Sequence, residues 1–161
     1  MSNKVAILMG STSDWPAIKP ATEILDSLKI SYEVKVLSAH RTPKQLLEYI
    51  EEKVKEGSIK VFIEGAGGAA HLAGVISAHT VLPVLGVPME SQSLKGLDSL
   101  LSTVQMPSGI PVATFGIGSA GSSNAALFAA AILGIDDESV SSAIKKYRDK
   151  KAKSVLDSKL D

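Results

Sequence analysis

The chain has 161 residues, enough for one domain of the usual ~100–200 residues and too few for two. Its 17 basic and 17 acidic residues cancel, which argues against nucleic-acid binding, because displacing counterions from phosphates takes a basic excess. With no cysteine, disulfide scaffolds, thiolate zinc sites and thiol catalysis are excluded, and the 45% hydrophobic content, mostly aliphatic since aromatics are only 4% of the chain, excludes disorder. A chain of zero net charge also tends to associate.

The first apolar run, Val5 to Met9, is short and leads into Gly10-Ser11-Thr12-Ser13, not into a leader cleavage site. No run reaches the ~18 uncharged apolar residues of a spanning helix, so a soluble cytoplasmic protein is expected. Val5 to Met9 reads instead as a central parallel strand covered on both faces. After the turn Gly10 to Asp14, Trp15, Ile18, Thr22, Leu25 and Leu28 recur at helical spacing, with Pro16 in the first turn. Tyr32 to Val36 alternates like a strand nearer an edge. Thr42-Pro43 reads as cap and first residue of a helix carrying Leu46, Leu47, Ile50 and Val54, closed by Gly57. Ile59 to Ile63 is the third strand, followed by the Gly65 to His71 loop and a small-residue helix to about His79. Val81 to Val87 gives a fourth strand, with Pro83 near its start. A short helix over Gly96 to Leu101, a fifth strand near Pro111 to Ile117 and a helix from Asn124 to Leu133 follow. Asp136 or Asp137 caps a last helix running into the polar tail Lys145 to Asp161. Five strands, each followed by a helix, predict a single α/β domain over residues 1–161: a doubly wound parallel sheet in a three-layer sandwich.

In such sheets ligands bind beyond the carboxyl ends of the strands, at a topological switch point. Gly10 to Asp14, Ser38 to Arg41, Gly65 to His71 and Gly116 to Ser123 are strand-end turns rich in small or polar residues. Any one of them is explained by turn packing alone; four at one edge are more informative. Ser11, Thr12 and Ser13 stand at a helix N-terminus, which suits an anion such as phosphate, although Ser13 or Asp14 could be a plain cap. No Walker motif is present, which argues against an ATPase. Gly65 to Ala70 fits the dinucleotide pattern with Ala last, but no acidic residue follows at a strand end about twenty positions on.

Ser38-Ala39-His40-Arg41-Thr42 is sharper, because it sets an imidazole beside a guanidinium at a strand end. Arg41 offers a fork for phosphate or carboxylate, and His40 can give and take protons near neutral pH, with the neighbouring cation favouring the neutral base. His71 could face the same site, whereas His79 reads as a surface or interface residue.

These motifs resemble the class I N5-carboxyaminoimidazole ribonucleotide mutase family of purine (IMP) biosynthesis. The likeness rests on Gly10-Ser11-Thr12-Ser13-Asp14-Trp15, Ser38-Ala39-His40-Arg41-Thr42-Pro43 and Gly65-Ala66-Gly67-Gly68-Ala69-Ala70-His71-Leu72. Pro83 to Pro88, Asp98 to Leu101, Gln105-Met106-Pro107 and Asn124 to Leu127 extend it from about Val5 to Leu133. Ala73 stands where the family usually has Pro, and Glu64 where a small residue is more usual; neither position is assigned to proton transfer.

The resemblance implies a flavodoxin-like fold and an octamer, with the C-terminal helix and tail (137–161) packing on neighbouring subunits. It implies an isomerase that needs no metal, nucleotide or other cofactor and moves a carboxylate from the exocyclic nitrogen of an aminoimidazole ribonucleotide to ring carbon four. By similarity His40 is the general acid and base. Ser11, Ser38 and Arg41 hold the phosphate, with Ser13 and Ala39 beside them, and Asp14 holds the ribose. Gly65, Ala66, Gly67, Gly68, Ala70, His71 and Leu72 line the pocket for the migrating carboxylate. Two alternatives stay open: a carboxylase that uses CO2 directly, and a non-enzymatic flavin-binding module, against which the few aromatics weigh.

Overall fold

Every residue of the first apolar run is buried, as a strand covered on both faces requires. The structure, a computed structural model, describes residues 4–159, so the outermost ends of the predicted domain, including Leu160 and Asp161 of the tail, lie outside the described residues. The strands are β1 Val5–Met9, β2 Tyr32–Val36, β3 Val61–Ala66, β4 Val84–Pro88 and β5 Ala113–Thr114. They form one sheet in the order β2-β1-β3-β4-β5, with every pair parallel. The helices are α1 Trp15–Ser27, α2 Pro43–Glu56, α3 Leu72–His79, α4 Leu97–Val104, α5 Ser119–Leu133 and α6 Glu138–Leu156.

The period-two alternation of the strands sorts the core into two layers. Val5, Ile7, Met9, Val61 and Ile63 pack against Ile18 and Leu25 of α1, the alanine-rich face of α5, and Val140 and Ile144 of α6. Ala6, Leu8, Phe62 and Ala66 face Leu46, Tyr49 and Ile50 of α2 and Leu72, Ala73 and Ile76 of α3. Each large aliphatic side chain so buried contributes about 1.5–3 kcal/mol. The result is the expected flavodoxin-like three-layer sandwich.

Several boundaries differ from the sequence reading. Strand β3 starts at Val61 and runs on through Gly65 and Ala66, so two residues of the expected glycine loop belong to the sheet. Strand β4 starts only at Val84: Val81 is fully exposed, and Pro83 precedes the strand. The fifth strand shrinks to Ala113–Thr114, and α5 begins at Ser119, right after Gly118 at φ +75°. Val54 on α2 is exposed, not buried. At the last helix Asp137 is the cap, accepting from the Ser139 hydroxyl and from the Ser139 and Val140 N–H groups; the Ser139 hydroxyl, Lys4 and the Val140 N–H hold its carboxyl down to about 2.

Candidate active site

The strand order places the switch point between β1 and β3, where the chain leaves β1 for β2 on one side and returns to β3 on the other. The turns after β1, β2 and β3 meet there around a cleft of about 280 Å³.

The β1 turn is held by its own hydroxyls. Ser11 accepts from the Ser13 N–H at 3.3 Å and from the Ser13 hydroxyl at 2.9 Å, capping a 3-10 turn over Thr12–Asp14. Ser11 therefore keeps its own proton for a ligand. Ser11, Ser13 and Asp14 all line the cleft, whereas Thr12, the middle hydroxyl of the run, does not. Burial pushes the Asp14 carboxyl up, against the Ser11 backbone hydrogen bond, the Arg41 charge and the Ser13 hydrogen bond, which pull it down.

The β2 turn is closed by a reciprocal clasp. The Ser38 N–H donates to Thr42 Oγ1 at 2.8 Å, and that hydroxyl donates back to the Ser38 carbonyl at 3.1 Å. Thr42 sits at the cap position of α2, yet its side chain is spent on this clasp and makes no capping bond. The buried Ser38 hydroxyl accepts from the His40 and Arg41 N–H groups and from Arg41 Nε. Arg41 Nη2 donates to the Gly10 carbonyl at 2.6 Å, so the guanidinium bridges the β1 and β2 turns instead of lying over His40. Ala39 lines the wall between them.

The neighbour of His40 is His71, on the β3 turn. Their facing nitrogens, His40 Nε2 and His71 Nδ1, are 2.8 Å apart, and the rings meet edge to face at 4.9 Å between centroids. Ala66, Gly67, Gly68, His71 and Leu72 line the cleft as expected. Gly65 and Ala70 do not. Gly65 lies inside β3, where a Cβ would come within 2.5 Å of Ile18 Cδ1, and Ala70 is buried in the α2–α3 layer, its N–H held by Ser102. His79 is exposed and away from the cleft, its Nδ1–H donating to the Val75 carbonyl at 2.8 Å.

Gly10 and Ala69, from the turns expected at this edge, also line the cleft, and Glu90 and Ser91 join it without having been expected there. Glu90 and Ser91 directly follow Met89 at the end of β4, so the rule that ligands sit beyond strand ends could have found them. Ser91 donates to Asp98 at 2.5 Å and accepts from the Gly96 N–H, tying the β4 turn to the start of α4. The Gly116 to Ser123 turn, also expected at this edge, contributes no residue to the lining. Hydroxyl donors, one guanidinium and a pair of imidazoles around a small-residue loop make a site that can grip an anion and pass a proton.

The family model for AIR carboxylase matches residues 4–154. A Vibrio parahaemolyticus protein named N5-carboxyaminoimidazole ribonucleotide mutase is 56% identical over 153 residues, 95% of this chain and 94% of its own length. A Bacillus subtilis protein of the same name is 54% identical over 158 residues, covering 98% of this chain and 97% of that one. Among solved structures, PurE of Treponema denticola aligns with a TM-score of 0.87 at 29% identity, over 96% of this chain and 94% of that one. The chain belongs to the AIR carboxylase family.

Proposed function

We propose that this chain is an N5-carboxyaminoimidazole ribonucleotide mutase of purine biosynthesis, with His40 as its acid and base. The observation that carries the reading is the contact of His40 with His71 at the switch-point cleft, beside an anion cradle made by Ser11, Ser38 and Arg41. Full-length relatives bearing that name support the substrate class.

Arg41 and the free hydroxyl protons of Ser11 and Ser38 take the substrate phosphate, helped by the positive end of the turn and helix that follow β1. Ser13 and Ala39 shape the same end, and Asp14 accepts from the ribose hydroxyls. That places the imidazole ring against His40 and the small-residue loop. His40 in its protonated form gives its proton to the exocyclic nitrogen as the nitrogen–carboxyl bond breaks, and the bonding pair stays on nitrogen. The released CO2 stays among Ala66, Gly67, Gly68, Ala69 and Leu72, where little side-chain bulk leaves room for it. Ring carbon four attacks it with its enamine electron pair. Neutral His40 then takes the proton from that carbon, the C–H pair returns to the ring, and the imidazolium is restored. His71 accepts from or donates to His40 across 2.8 Å and so holds the imidazole in one orientation. None of these steps calls for a cofactor.

The chain acts in the cytoplasm as a homo-octamer, with residues 137–161 on neighbouring subunits. Support comes from apolar surface at the opposite end of the sheet, where exposed Val81 and Phe128 border a hollow of about 810 Å³ together with Ile110 and Ile132. Among the described residues no helix is long and apolar enough to cross a membrane.

The family model's description, AIR carboxylase, favours one other reading, the direct use of CO2 by the same site. Purified protein given the N-carboxylated ribonucleotide without ATP should form the C-carboxylated product with or without bicarbonate. Turnover of aminoimidazole ribonucleotide only, and only with bicarbonate, would establish the carboxylase instead.

A further inference from the structure

Helix α4 lies outside the cleft but reaches its loop through two hydroxyls. Ser99 and Ser102 are three residues apart and so share one face of the helix. Ser99 Oγ, fully buried, accepts from the Gly68 N–H at 2.9 Å, and Ser102 Oγ accepts from the Ala70 N–H at 3.1 Å. Ser102 Oγ also lies 3.1 Å from the Gly68 carbonyl, 2.8 Å from the Asp98 carbonyl and 3.2 Å from the Ser99 carbonyl. Gly68 stands at φ +68°, a conformation glycine adopts readily, and its carbonyl also accepts from the Ala70 N–H at 2.9 Å.

The consequence for the loop is directional. The Gly68 N–H is taken by α4, and the Ala70 N–H is shared between Ser102 of α4 and the Gly68 carbonyl at 2.9 Å. The N–H groups of Gly67 and Ala69 have no hydrogen-bond partner among the described residues, and both residues line the cleft. With every described peptide trans, the Ala69 N–H points opposite to the Gly68 carbonyl. That carbonyl is turned toward Ser102, so the Ala69 N–H is turned away from α4. By the same geometry the Gly67 carbonyl is turned away from the Ser99 hydroxyl that receives the Gly68 N–H.

We infer that Ser99 and Ser102 are positioning residues for the transfer step: they orient the Gly67–Ala70 peptides so that the Ala69 N–H is offered to the migrating carboxylate and to the CO2 held between bond breaking and bond making. This rests on the mutase reading above. Without the two hydroxyls the loop keeps only its own turn bonds, from the Ala70 N–H to the Gly68 carbonyl and from the His71 N–H to the Ala69 carbonyl, so its peptides lose their fixed orientation toward the cleft, and a CO2 molecule that is not held leaves before carbon four attacks it. The nitrogen has by then taken its proton, so the escaped species are CO2 and neutral aminoimidazole ribonucleotide.

The experiment compares Ser99→Ala, Ser102→Ala and Ser102→Thr with the unaltered protein on the N-carboxylated substrate. It measures kcat, KM and the ratio of released aminoimidazole ribonucleotide to C-carboxylated product. The alanine variants should lose about tenfold in kcat, keep KM within about twofold because the phosphate is gripped elsewhere, and raise the released share at least about threefold. Ser102→Thr, which keeps the hydroxyl, should restore the original ratio. A purely structural role reduces the amount of active protein and leaves the ratio unchanged; an unchanged ratio in Ser102→Ala overturns the inference, even if Ser99→Ala fails to fold. If the unaltered protein makes no C-carboxylated product, it is the mutase reading that falls.

Discussion

His40 and His71 stand 31 positions apart in the chain, yet His40 Nε2 and His71 Nδ1 approach to 2.8 Å at the mouth of the cleft. The contact joins the turn after β2 to the turn after β3, two strands that are not neighbours but flank β1 on either side. A hydrogen bond between two ring nitrogens needs a proton on one and a lone pair on the other, so the state of either ring sets what its partner can do. Such a pair can pass a proton between the two turns without a carboxylate partner.

His40→Asn should keep the fold and the affinity for aminoimidazole ribonucleotide while lowering kcat by about 10²–10⁴, the usual contribution of a positioned acid–base group. His71→Ala should lower kcat less, by roughly tenfold, since it removes the orienting partner and not the group that meets substrate. Circular dichroism, ligand titration and turnover together check this. Turnover retained in His40→Asn would remove His40 from the chemistry.

Arg41 bridges two of the turns, through Gly10 and Ser38. Arg41→Lys keeps the charge but loses the planar fork that lets one group reach the Gly10 carbonyl, Ser38 and a phosphate at once. The expected result is a KM raised about tenfold or more with kcat within a few-fold. Steady-state kinetics at fixed ionic strength decide it, and an unchanged KM would assign the phosphate to other donors.

Much of this site was readable because local chemistry and layer order reinforce each other. An unbroken apolar run such as Val5 to Met9 has few stable places other than a central parallel strand, and once the strands alternate with helices their carboxyl ends share one edge. Thr42-Pro43 marked the start of α2 correctly, although the Thr42 hydroxyl serves the loop and not the helix. Where a strand ends was less legible: small residues such as Gly65 and Ala66 suit a turn as well as a tightly covered strand, and only packing against Ile18 selects the strand. The approach of His40 to His71, and of Ser99 and Ser102 to the loop, depends on separations of about thirty residues that no local pattern encodes.

Gly65→Ala tests that packing. The added Cβ would lie 2.5 Å from Ile18 Cδ1, 2.7 Å from Ile18 Cγ1 and 3.0 Å from Met89 Cε, and both side chains are buried in the core. Overpacking of this kind typically destabilises by about 1–3 kcal/mol, which corresponds to roughly 2–4 °C in Tm per kcal/mol for a domain of this size. Because Ile18 lies one helical turn beyond Asp14, activity should fall along with Tm. Gly10→Ala, whose Cβ meets nothing within 4 Å, should leave Tm unchanged. Equal melting temperatures for all three proteins would show that α1 can move away from β3 without cost.

Glu64 gives the sharpest prediction about stability. Its side chain lies within β3 between Leu8 and Gly86, is fully buried, and has no hydrogen-bond partner for either carboxyl oxygen. Burial pushes its carboxyl well above the usual range, and the charge of Asp14 adds to the effect. The folded chain therefore keeps this proton to a higher pH than the unfolded chain, which releases it near ~4.3. Between those two values the unfolded state binds fewer protons, so stability falls as pH rises, by at most about 1.4 kcal/mol per pH unit, and levels off above the folded value. Glu64→Leu replaces the carboxyl with an apolar group of similar size and removes this slope. Urea unfolding at pH 5 and pH 8 should show the unaltered protein losing more stability than the variant over that interval, with the variant the more stable of the two at pH 8 by at least about 1–3 kcal/mol, the cost of a buried polar group left unsatisfied. Equal losses in both proteins would mean that Glu64 finds a partner or water in the fold.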